Sequence, residues 1–165
     1  MLAFTISHVL VSYNTFRTQE LVVYADSKNT HIDLIKGFNH QVHTTDSASA
    51  IRNASNFWKS KKLHEPKFIP QTNSRFIAFK QQKILILTDS ILHHQTTTLP
   101  LDIDILIIGN RLKFKTSAIL SCIRPKICIV DQTISPWYAQ ELQQYCLKNK
   151  IEFYDVKKNG AVTKN

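Results

Sequence analysis

Three short apolar runs in the C-terminal half, Lys83–Leu87, Asp104–Ile108 and Lys126–Val130, constrain the fold of this 165-residue chain more than any other feature. They lack the polar alternation of a half-solvated strand, and helical patterns separate the later ones. Continuous apolar strands alternating with helices imply parallel pairing in a sheet covered on both faces. After the loop Thr96–Pro100 the pattern predicts strand DILII, a helix around residues 115–123, strand KICIV, a helix over 136–148 and a closing strand EFYDV. Ser135 supplies the cap of the second helix and Pro136 its first position, where a missing N–H costs nothing.

The N-terminal half has a different period. ELVVYA, a polar turn around Ser27–Asn29, HIDLIKG and then FNHQVHT after Gly37 read as antiparallel strands, and the alternation in HIDLI marks a half-buried one. Asp46-Ser47 offers an N-cap to an amphipathic helix over 47–60, with Ala48, Ile51, Ala54, Phe57 and Trp58 at helical spacing. Pro66 and Pro70 bracket a short edge strand KFI, and SRFIAFK and KILILT form a second hairpin around Gln81-Gln82. The expectation is an α/β layered fold, an antiparallel meander followed by a βαβαβ half. Residues 19–165 are expected to form a single domain. The opening MLAFTISHVLVSY is too short to span a membrane and lacks a basic leader region, so residues 1–18 read as a leading strand or as the stub that follows a membrane segment.

In layered α/β folds, ligands and metals collect at the carboxyl ends of the strands. Here those ends are Thr88-Asp89, Gly109-Asn110 and Asp131. Asp89 has two readings, a turn residue bonding the backbone of Ser90 and Ile91 or a relict metal ligand. Adjacent His93 and His94 would supply one ligand rather than two, because neighbouring residues point apart. His40 and His43 have no acidic residue between them, and no HExxH or HxHxDH segment is present. With only Gly37, Gly109 and Gly160 in the chain, glycine-rich nucleotide loops are excluded, and no GxSxG elbow exists. Cys122 and Cys128 fall on apolar faces and read as core. Neither they nor Cys146 has metal-ligand spacing, and their odd number gives no disulfide framework.

The net charge of +9 is clustered. Residues 46–83 hold eight Lys or Arg against two acids and residues 111–165 ten against four, whereas 84–110 hold three Asp and no base. Such clustering attracts polyanions, whether nucleic acid or an anionic lipid surface. The candidate nucleic-acid contacts are Lys59, Lys61 and Lys62, with Lys67, around Trp58, and Arg111, Lys113 and Lys115 around Phe114. An exposed aromatic among them would stack on a base. The helical or strand phase of Trp58 and Phe114 instead makes them core residues, which leaves charge alone to bind.

In order, KILILTDS, TLPLDIDILIIGN, SAILSCIRPKICIVDQTISPW and CLKNKIEFYDVKKNGAV resemble the last part of the metallo-β-lactamase-like domain of ComEC-type DNA-uptake channel proteins. ELVVYADSKNTHIDLIKG resembles the opening of the variant found in some Gram-negative branches. The likeness covers about residues 19–163. It departs where the chemistry would sit. The family's Gly-Asp is Thr88-Asp89, its His-His-Gly is Gly109-Asn110-Arg111, and its His-Pro helix start is Ser135-Pro136. Two bridged metal ions need about five or six His and Asp ligands, and of that set only Asp89 remains.

The resemblance therefore implies a truncated metallo-β-lactamase-like domain without catalytic or metal-binding residues and without a cofactor. It would be a soluble domain of an inner-membrane protein, preferably on the periplasmic side, beside the transmembrane channel part of the same full-length protein. Its expected partner is single-stranded DNA, and no small-molecule substrate is inferred. A reduced metal-dependent nuclease using Asp89 with His93 or His94, and a protein-interaction scaffold, are the alternatives.

Overall fold

A computed structural model describes residues 18–90, 92, 97, 99–113 and 116–164. Among the described residues, ten strands form two five-stranded sheets. The first holds β1 (Gln19–Val23), β2 (His31–Lys36), β3 (Asn39–Thr44), β4 (Lys67–Pro70) and β10 (Val162–Lys164), in the order β10-β1-β2-β3-β4. The second runs β5 (Arg75–Phe79), β6 (Gln82–Leu87), β7 (Leu101–Ile108), β8 (Ile123–Val130) and β9 (Glu152–Asp155), in chain order. The helices among the described residues are α1 (Ser47–Ser60), α2 (Thr116–Cys122), α3 (Pro136–Lys148) and the one-turn α4 (Val156–Asn159).

The layering follows from side-chain alternation within the apolar runs. In β6, Ile84 and Ile86 point to the first sheet while Leu85 and Leu87 point away from it. In β7, Ile105 and Ile107 face inward, and Leu106 and Ile108 face outward onto the cluster containing Ile119 of α2 and Tyr138, Leu142 and Cys146 of α3. Across the gap, Leu21, Val23, Ile32 and Leu34 of the first sheet complete the inner core. The outer side of that sheet packs Val22, Ile35 and Val42 against Ala50, Ala54 and Trp58 of α1. The molecule is therefore a layered α/β fold, helix on sheet on sheet on helices, and β6 through β9 are parallel.

The antiparallel meander β1-β2-β3 and the β7-α2-β8-α3-β9 half stand where the sequence places them. Asp46 caps α1 by accepting from the backbone of Ala48 and Ser49, and Ser135 caps α3 with Pro136 following. Two details differ. The turn of the second hairpin is Lys80-Gln81, one residue earlier than the spacing suggests, because Phe79 pairs with Gln82. Both turn residues have positive φ (57° and 62°), as the commonest two-residue hairpin turn demands. The chain end, read as one closing strand, instead breaks at Val156 into α4, and β10 returns to pair with β1 in the other sheet. The leading-strand or stub reading of the first seventeen residues lies outside the described residues, as do Ile91, His93, His94, Phe114 and Lys115.

Candidate functional site

The carboxyl ends of β6, β7 and β8 meet the turn between β1 and β2, and the junction is filled by the chain's own side chains. Thr30, which leads into β2 on the same face as Ile32 and Leu34, donates its hydroxyl to the Asp131 carboxylate. The Thr30 hydroxyl oxygen itself accepts from the Asn110 backbone N–H at 2.9 Å. The second oxygen of Asp131 accepts from the Thr133 N–H at 2.9 Å and from its hydroxyl. Thr133 in turn receives the Arg111 N–H at 3.0 Å, and Asn110 Nδ2 donates to the Thr88 carbonyl at 3.1 Å. Asn110 and Arg111 both occupy the left-handed region, φ 56° and 57°. Asn tolerates that region, but Arg pays for it, so these backbone bonds hold a conformation the local sequence disfavours.

Asp131 is buried, and burial pushes its carboxyl up to about 6, with the bonds from Thr133 and Thr30 partly opposing the rise. The unfolded value is near 3.8, so the folded state holds this proton more tightly. Its contribution to stability is therefore complete below the unfolded value and is lost as pH rises through about 6. The shift corresponds to roughly 3 kcal/mol. We expect the unfolding free energy of wild type minus that of Asp131→Asn to fall by on the order of 2–3 kcal/mol between pH 4 and pH 7 and then to level off. Urea unfolding at a series of pH values measures this, and a pH-independent difference contradicts it.

Asp89 is engaged elsewhere. Its carboxylate accepts from the Ser74 N–H at 2.8 Å and the Ser74 hydroxyl at 2.6 Å, pinning the segment that passes from the first sheet to the second. These bonds join the carboxyl end of β6 to the segment that precedes β5. Among the described residues no group of three or more His, Cys, Asp or Glu is arranged to hold a metal ion.

A second polar centre lies under α1. Asp26 accepts from Ser49 Oγ at 2.6 Å, Asn53 Nδ2 at 2.7 Å and the Lys28 N–H at 2.8 Å, and it pairs with His31 at 2.9 Å. Burial alone would raise this carboxyl, but those bonds together hold it well below the usual carboxylate range. The arrangement ties the start of α1 to the β1–β2 turn that carries Thr30.

The structure separates the two groups of candidate basic residues. Lys59, Lys61 and Lys62 lie at the end of α1, beside the start of β1, where Lys61 pairs with Glu20 at 2.9 Å. Arg111 and Lys113 are exposed at the other end of the strands, roughly 17–20 Å away by strand length. Lys67 begins β4 at the same end as the α1 group. Trp58 is core, 6% exposed, and its Nε1 donates to Asp33 at 2.9 Å, so it cannot stack on a base. Trp137 was not singled out by sequence reasoning, yet it is 73% exposed. It sits in the first turn of α3, four residues after the Thr133 that holds Arg111. Its signal was legible in principle, because a Trp directly after Ser135-Pro136 lies on the opposite face from Tyr138 and Leu142.

Fold and site together define a class, a layered α/β domain whose strand-end site is closed by its own hydrogen bonds. The chain belongs to the ComEC C-terminal domain family, whose model it matches over residues 21–165. It is accordingly a competence-protein domain. No curated protein and no solved structure matches it.

Proposed function

We propose that this domain is a non-catalytic part of a ComEC-type competence protein, holding single-stranded DNA on a basic surface during uptake beside the membrane channel. The observation that carries the reading is the closure at Thr30, Gly109 and Asp131. The place where a layered α/β enzyme would receive substrate or metal is occupied by a threonine hydroxyl from the opposite sheet. The helix-sheet-sheet-helix layering supports the metallo-β-lactamase-like ancestry that the sequence resembles. Among the described residues no helix is long and apolar enough to cross a membrane, so attachment to the inner membrane would come through the rest of the full-length protein, with the periplasmic side preferred.

Two outward features favour DNA at the closed end. Arg111 and Lys113 are exposed there, and Trp137 offers a ring to stack on a base. Lys59 and Lys62 add charge at the far end, where they would steer the strand rather than share the same contact. Gel-shift titration with an oligothymidine across salt concentrations tests this. The reading expects affinity to fall with salt, and Arg111→Ser/Lys113→Ser to reduce the logarithmic slope by roughly 1.4, about 0.7 per lost phosphate contact. No binding at low salt removes the DNA-holding function. Cleavage of the oligonucleotide with added Mn²⁺, abolished in Asp89→Ala, would replace it with the nuclease reading.

A further inference from the structure

We infer that an open cleft at the amino ends of β7 and β8, opposite the closed site, binds a nucleoside phosphate. The cleft encloses about 980 Å³, within the range of small-molecule sites. Its floor is apolar and aromatic, formed by buried Leu120 and Ile123 with half-buried Tyr145. Its rim is cationic, formed by Lys83, Arg124 and Lys150, all exposed. A flat apolar body carrying an anionic group matches that combination, and a base joined to a phosphate is such a body.

The charge around the cleft is available for a ligand. Asp104 is already neutralised, because Lys126 Nζ lies 2.7 Å from its carboxylate and the Lys83 backbone N–H donates to it at 2.8 Å. Among the described residues, Lys83, Arg124 and Lys150 enter no side-chain ion pair, and Asp102 is the carboxylate left to face them. The end of α3 points its carbonyls toward this region, which by itself would repel an anion. Asn149 takes up that polarity, its Nδ2 donating to the Tyr145 carbonyl at 2.8 Å and its N–H to the same oxygen at 3.1 Å. Lys150 then follows with φ 58°, a position where helices usually place glycine. A lysine there sets a cation on the rim at a conformational cost.

This goes beyond DNA holding, since either a free nucleotide or one unit of a strand would satisfy the cleft, and it does not need Arg111 or Trp137. Thymidine 5′-monophosphate, thymidine, inorganic phosphate and a dodecamer of thymidylate, each titrated into ¹⁵N-labelled protein, give the test. The monophosphate is expected to saturate with shifts at Arg124, Tyr145 and Lys150, while thymidine and phosphate each bind at least about tenfold more weakly. Lys83→Ser/Arg124→Ser/Lys150→Ser is expected to weaken the monophosphate about tenfold or more, as read from the Tyr145 shift. Competition by the dodecamer identifies a strand as the source of the nucleotide, and its absence a free nucleotide; both keep the cleft as a nucleotide site. The inference is overturned by no saturable shift at about 10 mM monophosphate, by phosphate binding as tightly as the nucleotide, or by a triple variant that binds like wild type. Loss of dodecamer binding alone, with the monophosphate still bound, counts against DNA holding and leaves the cleft standing.

Discussion

Replacing Asp33 with Ala is expected to lower the unfolding free energy by about 3–5 kcal/mol, among the largest effects of any single change in this chain. Asp33 is fully buried on the outer face of β2, and three donors converge on it. Tyr24 Oη donates at 3.0 Å, Trp58 Nε1 at 2.9 Å, and His40 Nδ1 lies 2.9 Å away. Burial, with the Asp33 charge second, pushes the Tyr24 hydroxyl well above its ordinary range, so it remains a donor at any physiological pH. His40 Nε2 also faces an acceptor, the His64 carbonyl at 3.1 Å. Removal of the carboxylate strands these groups unevenly. Trp58 and Tyr24 keep each other at 3.0 Å, while the Nδ1 of His40 loses its partner inside the core. Asp33→Asn should rescue little, because its amide turns a donor toward donors. Trp58→Phe, which deletes a single donor, is expected to cost only about 1–2 kcal/mol. Urea unfolding followed by circular dichroism ranks the three. A cost for Asp33→Ala below that of Trp58→Phe would show that the carboxylate does not organise the junction between α1 and its sheet.

That network also shows what a linear reading can reach. The strands, the helix over 47–60 and the helix over 136–148 were legible because their apolar periods are strong and their caps are local. No acidic residue lies between His40 and His43 in the chain, yet His40 has an acidic partner in the fold. Its partner sits diagonally across a strand pair, where Ile35 opposes His40 and Asp33 opposes Val42. The helical phase of Trp58 favours the core over base stacking, and Trp58 is buried, but the carboxylate it meets comes from a different element. Thr30 was lost for another reason. It reads as the last residue of a polar turn, although its phase with Ile32 and Leu34 aims it between the sheets, and its partner is 101 residues away. Gly109-Asn110-Arg111 and Ser135-Pro136 can be read directly in the chain. That Thr30 from the opposite sheet packs against Gly109 and Asp131 is a property of packing, which no single segment encodes.

Gly109→Ala carries the second large effect, about 3 kcal/mol of destabilisation, at the upper end of the range for overpacking. Gly109 is not among the residues with positive φ, so its backbone would accept a side chain; the space would not. An added Cβ would stand 2.6 Å from Asp131 Oδ2 and 3.0 Å from the Thr30 methyl, with the Thr30 hydroxyl nearer still. Neither neighbour is the loose end of a long side chain. Thr30 is β-branched and bonded to both Asp131 and the Asn110 N–H, and the Gly109 N–H is itself fixed to the Leu87 carbonyl at 3.1 Å. The methyl must therefore push the β1–β2 turn away from the ends of β7 and β8. Thr30→Ala removes the two Thr30 contacts but leaves the carboxylate, so the double variant should recover part of the loss, with a coupling of roughly 1–2 kcal/mol in a denaturation cycle. A glycine kept instead to let a ligand approach the strand ends would give the opposite pattern, with stability unchanged by Gly109→Ala and no coupling to Thr30. The cycle thus measures the closure itself, the feature on which the non-catalytic reading of this domain rests.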